Sequence, residues 1–302
     1  MSPGSAPKLS DQALLGSGLD GPELERLAAV AREAAQAGAA VLRRHVGQLG
    51  EVREKGSAGN LVTAADLAAE AAVLEVLKQQ TPGFPVLAEE GGQRDGEGSL
   101  RWVVDPLDGT TNFAHGYPFY GTSVGLTWEA LPLLGAIAVP AFDELFWAAP
   151  GLGAWRNDQA LRVSRCQQLA DALLVTGFAY DRIERQDNNY AEFAWFTHRS
   201  HGVRRAGAAA VDLAYVASGQ LDGYWERGLS PWDLVAGVVL VEQAGGVVCA
   251  YDGSPLDLAS GRLIACAPAL RHPLIEGLAA CRPLPGASYG APELDPPAQG
   301  DP

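Results

Sequence analysis

The residues best suited to do chemistry lie in one run, Trp102-Val103-Val104-Asp105-Pro106-Leu107-Asp108-Gly109-Thr110-Thr111-Asn112. An apolar strand delivers Asp105 at its end, Pro106 stiffens the exit, and Asp108 follows three residues later, able to point back to the same place. Gly109, Thr110 and Thr111 then bring backbone amides at an expected helix start, a natural site for an anion. Carboxylates beside an anion site repel the anion unless cations lie between them, so the run points to metal-assisted chemistry on a phosphate ester. Asp, Pro, Gly and Thr also build ordinary turns, and Asp108-Gly109 alone would be read as one. Two acids and a phosphate-type turn directly after an apolar strand go beyond that.

Other acids are candidates with two readings each. Glu89 follows the apolar run Phe84 to Ala88, where an acidic turn would be unremarkable in so acidic a chain. Asp66 completes Thr63-Ala64-Ala65-Asp66, nearly a capping box. Asp233 follows Ser230-Pro231-Trp232 and fits the first turn of a helix with Ser230 as cap and Pro231 at its first position. Glu226, before Arg227, is either a substrate contact or half of a surface ion pair. The hard-oxygen character of these side chains favours magnesium. None of His45, His115, His198, His201 and His272 falls into a ligand pair, and Cys166, Cys249, Cys266 and Cys281 are scattered. Zinc does not fit that pattern.

The elements that must position these acids show in the hydrophobic periodicity. Leu24, Leu27, Ala31, Ala34, Ala37 and Val41 recur at helical spacing between Gly21 and Val46. A second helix opens at Thr63 to Asp66 and runs to Thr81-Pro82-Gly83. Short apolar runs follow at 84–88, 101–104, 123–128, 134–140 and 145–149, which read as strands, so two helices lie on a largely antiparallel sheet in an α+β layer. Beyond Gly151 to Leu161, strand and helix patterns alternate in a smaller α/β half. The expected organisation is a flexible N-terminal tail, 1–20, a larger half, 21–155, a smaller half, 156–282, and a flexible C-terminal tail, 283–302.

Composition narrows the partners. The chain has 302 residues, 47% of them hydrophobic, and a formal net charge of −14. That balance speaks against nucleic acid or an anionic membrane as the main partner. No signal peptide or membrane span is evident, and the scattered cysteines read as reduced thiols, so a cytoplasmic enzyme is expected.

Trp102 to Asn112 resembles the first signature of the inositol monophosphatase family. Trp232-Asp233-Leu234-Val235-Ala236-Gly237 through Ala244-Gly245-Gly246 resembles the second, and the similarity runs from about Gly21 to Cys281. The resemblance implies a layered α-β-α-β-α sandwich of the sugar phosphatase type, with a larger antiparallel-sheet half and a smaller mixed α/β half. It implies Mg2+ as cofactor, two to three ions, held by Glu89, Asp105, the Leu107 carbonyl, Asp108 and Asp233, with a weaker third ion near Glu89 and Asp66. Glu89, Thr110 and Asp66 would be catalytic, orienting and deprotonating water. Gly109 and Thr110 would hold the phosphate, and Ala209 and Glu226 would contact the alcohol part of the substrate. Lys55 matches a family lysine near the metals, although by sequence alone it is an ordinary surface lysine. Ala208 departs from the Ser or Thr frequent at its position, which leaves one polar contact in doubt.

The implied activity is hydrolysis of a phosphate monoester, inositol 1-phosphate first, by a lithium-sensitive homodimer. Alternatives within the family are fructose 1,6-bisphosphatase, histidinol-phosphate phosphatase and 3′-phosphoadenosine 5′-phosphate phosphatase. A haloacid dehalogenase-type phosphatase is a further enzyme class, although its DxDGT loop spaces the two aspartates one residue closer. A non-enzymatic regulatory role also stands, with Arg204-Arg205 either at such an interface or across a homodimer.

Overall fold

A computed structural model describes residues 8–47, 53–54 and 61–282 of the chain. Lys55 and the expected C-terminal tail, 283–302, lie outside the described residues. Among the described residues, three helices precede the main sheet: α1 (Leu9–Ser17), α2 (Gly21–His45) and α3 (Ala64–Gln80). Asp20 caps α2 by accepting the Glu23 N–H, and Pro22 sits in the first turn, where its missing N–H costs nothing. Between α2 and α3 a two-residue ribbon pairs β1 (Arg53–Glu54) with β2 (Leu61–Val62).

The main sheet has eight strands: β3 (Val86–Ala88), β4 (Gly92–Arg94), β5 (Leu100–Asp108), β6 (Gly121–Trp128), β7 (Leu131–Val139), β8 (Glu144–Ala149), β9 (Gly153–Arg156) and β10 (Gln159–Ala160). Their order is β10-β9-β8-β7-β6-β5-β3-β4, antiparallel except where β3 meets β5. A five-residue helix, α4 (Thr110–Ala114), follows β5.

The second sheet is mixed, in the order β12-β11-β13-β15-β14, from β11 (Leu173–Thr176), β12 (Gly202–Arg204), β13 (Gly223–Glu226), β14 (Val247–Cys249) and β15 (Leu263–Cys266). Helices α6 (Ala209–Ala217) and α7 (Pro231–Gln243) lie between the two sheets, while α5 (Tyr190–Thr197) and α8 (Arg271–Ala280) cover the outer face. The result is the α-β-α-β-α sandwich. Its largest apolar cores lie under α1 to α3 and around α6 and α7, where strands and helices bury Trp102, Leu126, Leu134, Val211 and Leu240.

Two expectations about boundaries are corrected. Residues 9–17 of the expected tail form α1, whose first amides donate to the buried Glu242 carboxylate of α7, Leu9 N–H at 2.8 Å and Ser10 N–H at 3.0 Å. The expected division between residues 155 and 156 falls inside β9, because the main sheet runs on to Ala160.

A pair of glycines decides where α7 sits. Gly125 of β6 pairs with Gly135 of β7, and a Cβ on either would collide with α7, 2.4 Å from Val235 Cγ1 and 2.3 Å from Ala236 Cα respectively. Without side chains there, the helix lies directly on the sheet, and its first turn comes over the end of β5. Among the described residues no helix is long and apolar enough to cross a membrane.

Candidate active site

Asp105 and Asp108 stand three residues apart on one strand, so regular alternation would send their side chains to opposite faces. The structure resolves this with a bulge. Asp105 pairs with Ser123 and Asp108 with Gly121, three steps on β5 against two on β6. The extra residue falls at Pro106-Leu107, where Pro106 has no N–H to give to the ladder, and it restores both carboxylates to the same side. Gly109 then turns the chain with φ +88, and a Cβ there would press within 3.0 Å of the Phe119 carbonyl.

Asp233, at the start of α7, completes a cluster. One oxygen each from Asp105, Asp108 and Asp233 lies within 4.8 Å of the others, with Asp105 and Asp108 buried and Asp233 half-buried. Each acid is anchored by backbone amides. Leu107 N–H donates to Asp105 Oδ1 at 2.9 Å. Ala209 and Val211 N–H donate to the two oxygens of Asp108 at 3.0 and 3.1 Å, so Asp108 caps α6. Ser230 N–H donates to Asp233 Oδ2 at 2.7 Å.

The electrostatics of the cluster are those of buried carboxylates held close to one another. Burial, then the neighbouring charges of Glu89, Asp108 and Asp233, pushes the Asp105 carboxyl well above the usual range. Burial likewise raises Asp108 to about 7 against the opposing pull of its amide donors, and raises Asp233, with the charge of Asp108 next. A divalent cation would reverse these shifts, and an all-oxygen donor set of this kind suits a hard ion. Glu89 is outside the three-acid cluster but within hydrogen-bonding reach of Asp105, and its own N–H is held by the Val104 carbonyl at 3.1 Å.

Asp66 is fully buried at the start of α3. Its Oδ2 accepts from Thr63 N–H at 2.8 Å and the Thr63 hydroxyl at 2.6 Å, while Oδ1 accepts the Thr110 hydroxyl at 3.0 Å. The Leu107 carbonyl also lies 3.0 Å from Thr110 Oγ1. A hydroxyl has one hydrogen, so Thr110 chooses between these two acceptors.

Glu226, near enough to Asp108 to feel its charge, is buried and accepts the Tyr224 hydroxyl at 2.6 Å; burial lifts its carboxyl to about 7. The surface ion pair with Arg227 is not formed. Arg227 is itself buried and bonds Asp181 at 2.7 Å. Ala209, expected to contact substrate through its backbone, has its N–H engaged by Asp108. The sequence reading missed Tyr224, which alternates onto the Glu226 face of β13, and gave Asn112 no role. The Asn112 amide donates to the Phe119 and Ala206 carbonyls at 2.7 and 2.8 Å, joining the acidic loop to the segment before α6.

Comparisons with known proteins point to one family. Residues 23–282 match the model of the inositol monophosphatase family. An inositol-1-monophosphatase from Synechocystis sp. is 49% identical over 259 residues, covering 85% of this chain and 90% of that protein. A Nus factor SuhB from Pseudomonas aeruginosa is 42% identical over 219 residues, 71% of this chain and 80% of that protein. The solved structure of inositol monophosphatase from Anabaena (Nostoc) sp. superposes with a TM-score of 0.80 at 48% identity, covering 87% of this chain and 98% of its own. With its sandwich fold and buried acidic cluster, the chain is a phosphomonoester hydrolase that belongs to the inositol monophosphatase family.

Proposed function

We propose that the chain hydrolyses the phosphate monoester of a small polyol, inositol 1-phosphate, with Mg2+ as cofactor. The observation that carries this is the convergence of Asp105, Asp108 and Asp233 from a strand and a helix of different halves. The name of the Synechocystis relative, inositol-1-monophosphatase, supports the substrate. Glu89, Asp105, the Leu107 carbonyl, Asp108 and Asp233 would hold two ions. When bound, Mg2+ supplies charge neutralisation for the ester and lowers the pKa of water to give a nucleophile near neutral pH.

The protein's own part is positioning and proton handling. Thr110, donating its hydroxyl hydrogen to Asp66 Oδ1, keeps the lone pairs of Oγ1 to accept a hydrogen bond from the attacking water. The released proton then has two destinations, Asp66 through Thr110 or the carboxylate of Glu89. Asp66, anchored through Oδ2 by the Thr63 amide and hydroxyl, orients Thr110 through Oδ1. The amides of Gly109 and Thr110 hold phosphate oxygens, and Glu226 accepts hydrogen bonds from hydroxyls of the leaving polyol. No covalent phosphoenzyme forms.

A phosphate-release panel with and without Mg2+ tests this, using inositol 1-phosphate, fructose 1,6-bisphosphate, histidinol phosphate and 3′-phosphoadenosine 5′-phosphate. The expected outcome is Mg2+-dependent release, fastest from inositol 1-phosphate. Release from none of them overturns the proposal, and a different preference reassigns the substrate. The similarity to Nus factor SuhB favours a second reading, a regulatory partner role. Asp108→Asn separates the two, since an enzyme loses turnover and a pure binding protein keeps its partner.

A further inference from the structure

We propose that Glu70 is a positioning residue that fixes Glu89 from below, and so sets the affinity of the site for its cation. The inference rests on Glu89 acting as a ligand in the proposed reaction. Glu70 lies one helical turn after Asp66 on α3, on the same buried face, and is 5% exposed. Its Oε2 accepts the N–H groups of Glu90 at 3.0 Å and Gly91 at 3.2 Å. Glu89 itself donates its N–H to the Val104 carbonyl of β5 at 3.1 Å. The backbone that carries Glu89 is therefore pinned on both sides, by β5 before its Cα and by the Glu70 carboxylate immediately after.

The turn is shaped to admit that carboxylate. A Cβ on Gly91 would lie 2.6 Å from Glu70 Oε1, so a larger residue there would push the carboxylate off its two amides. Such bonds between an ionised acceptor and amide donors are stronger than neutral ones. The first two turns of α3 thus present two acids with parallel tasks. Asp66 holds the Thr110 hydroxyl of the loop after β5, and Glu70 holds the loop after β3. Neither needs to touch the cation. Removing a group that orients a ligand in this way typically costs about 10- to 100-fold in metal affinity or activity.

The test is titration calorimetry of Mg2+ into the metal-free full chain, alongside kcat and KM for inositol 1-phosphate and thermal unfolding of each variant. Glu70→Ala is expected to weaken Mg2+ binding about 10-fold and to lower kcat about 10- to 100-fold, with KM for the ester changed less than about twofold. Glu70→Gln keeps an acceptor oxygen for the two amides and should recover Mg2+ affinity to within about threefold of wild type. Gly91→Ala displaces the carboxylate without removing it, so it should weaken Mg2+ binding alone and add nothing in the Glu70→Ala background. Should Glu70→Ala fail to fold, Glu70→Gln and Gly91→Ala still decide the matter. Unchanged Mg2+ affinity in folded Glu70→Ala or in Gly91→Ala overturns the inference, as does a Glu70→Gln variant no better than Glu70→Ala. A wild-type chain that binds Mg2+ but hydrolyses none of the panel overturns the proposed function while leaving this titration decisive.

Discussion

Helices α3 and α7 open in the same way and contribute differently. In each, an acid three residues beyond the N-cap reaches back to the N-cap amide, Asp66 to Thr63 at 2.8 Å and Asp233 to Ser230 at 2.7 Å. What separates them is the environment of the remaining carboxylate oxygen. In Asp66 it accepts the Thr110 hydroxyl, whereas Asp233 brings an oxygen into the cluster with Asp105 and Asp108. The same capping arrangement therefore orients a hydroxyl in one helix and, in the proposed function, offers a ligand in the other. Motif grammar alone does not distinguish these tasks; the packing of α7 against the Gly125 and Gly135 pair does.

The contrast is broken most directly at Asp233. Asp233→Asn should lower kcat/KM on the order of 10³-fold, about 4 kcal/mol of transition-state stabilisation, and an active variant would reduce Asp233 to a capping acid. Asp66→Asn should be milder, about 10- to 100-fold in kcat with little change in KM, as befits a group acting through Thr110. Steady-state kinetics of the two side by side would sharpen or dissolve the distinction.

Stability against pH offers a third handle. Asp105, Asp108 and Asp233 have folded-state pKa values above those of an unfolded chain, where carboxylates titrate near ~4. The folded state then binds more protons across the interval from there to about 7, the value for Asp108, and these groups' contribution to stability falls as pH rises through it. Metal-free protein should accordingly lose Tm between those limits, Mg2+ should restore it at pH 7, and Asp233→Asn should flatten the loss. A metal-free Tm that rises steadily over the same interval would contradict the electrostatic picture. The smallest effect is expected at Tyr224→Phe, which removes the hydroxyl donor to Glu226 and should alter KM for the polyol ester by about 1 kcal/mol or less, with kcat nearly unchanged.

Much of this arrangement was legible in the sequence where it depends on local pattern. The periodicity of α2, the cap of α3 at Thr63 and the strand leading to Asp105 are read from neighbours a few residues apart. The Ser230-Pro231 start of α7 was legible for the same reason. Helix α1 was not, because what holds it is Glu242, 233 residues from Leu9. The two-residue strand β10 carries too little pattern to extend the sheet past the expected division. At the site, the acids were identifiable as types at spacings, whereas the engagement of the Ala209 amide by Asp108 and the burial of Glu226 against Tyr224 arise only when α6 and β13 dock beside the acidic loop. The bulge that turns Asp105 and Asp108 to one side had a local trace in Pro106; its consequence for their geometry required the β6 partner.

The central claim is that Asp233 completes the cation site while Asp66 positions Thr110 beside it. Titration calorimetry of Mg2+ into metal-free wild type, Asp233→Asn and Asp66→Asn tests it directly. The account predicts that Asp233→Asn loses one Mg2+ binding event and that Asp66→Asn keeps it within about tenfold of wild type. Full Mg2+ affinity in Asp233→Asn, or its loss in Asp66→Asn alone, would contradict it.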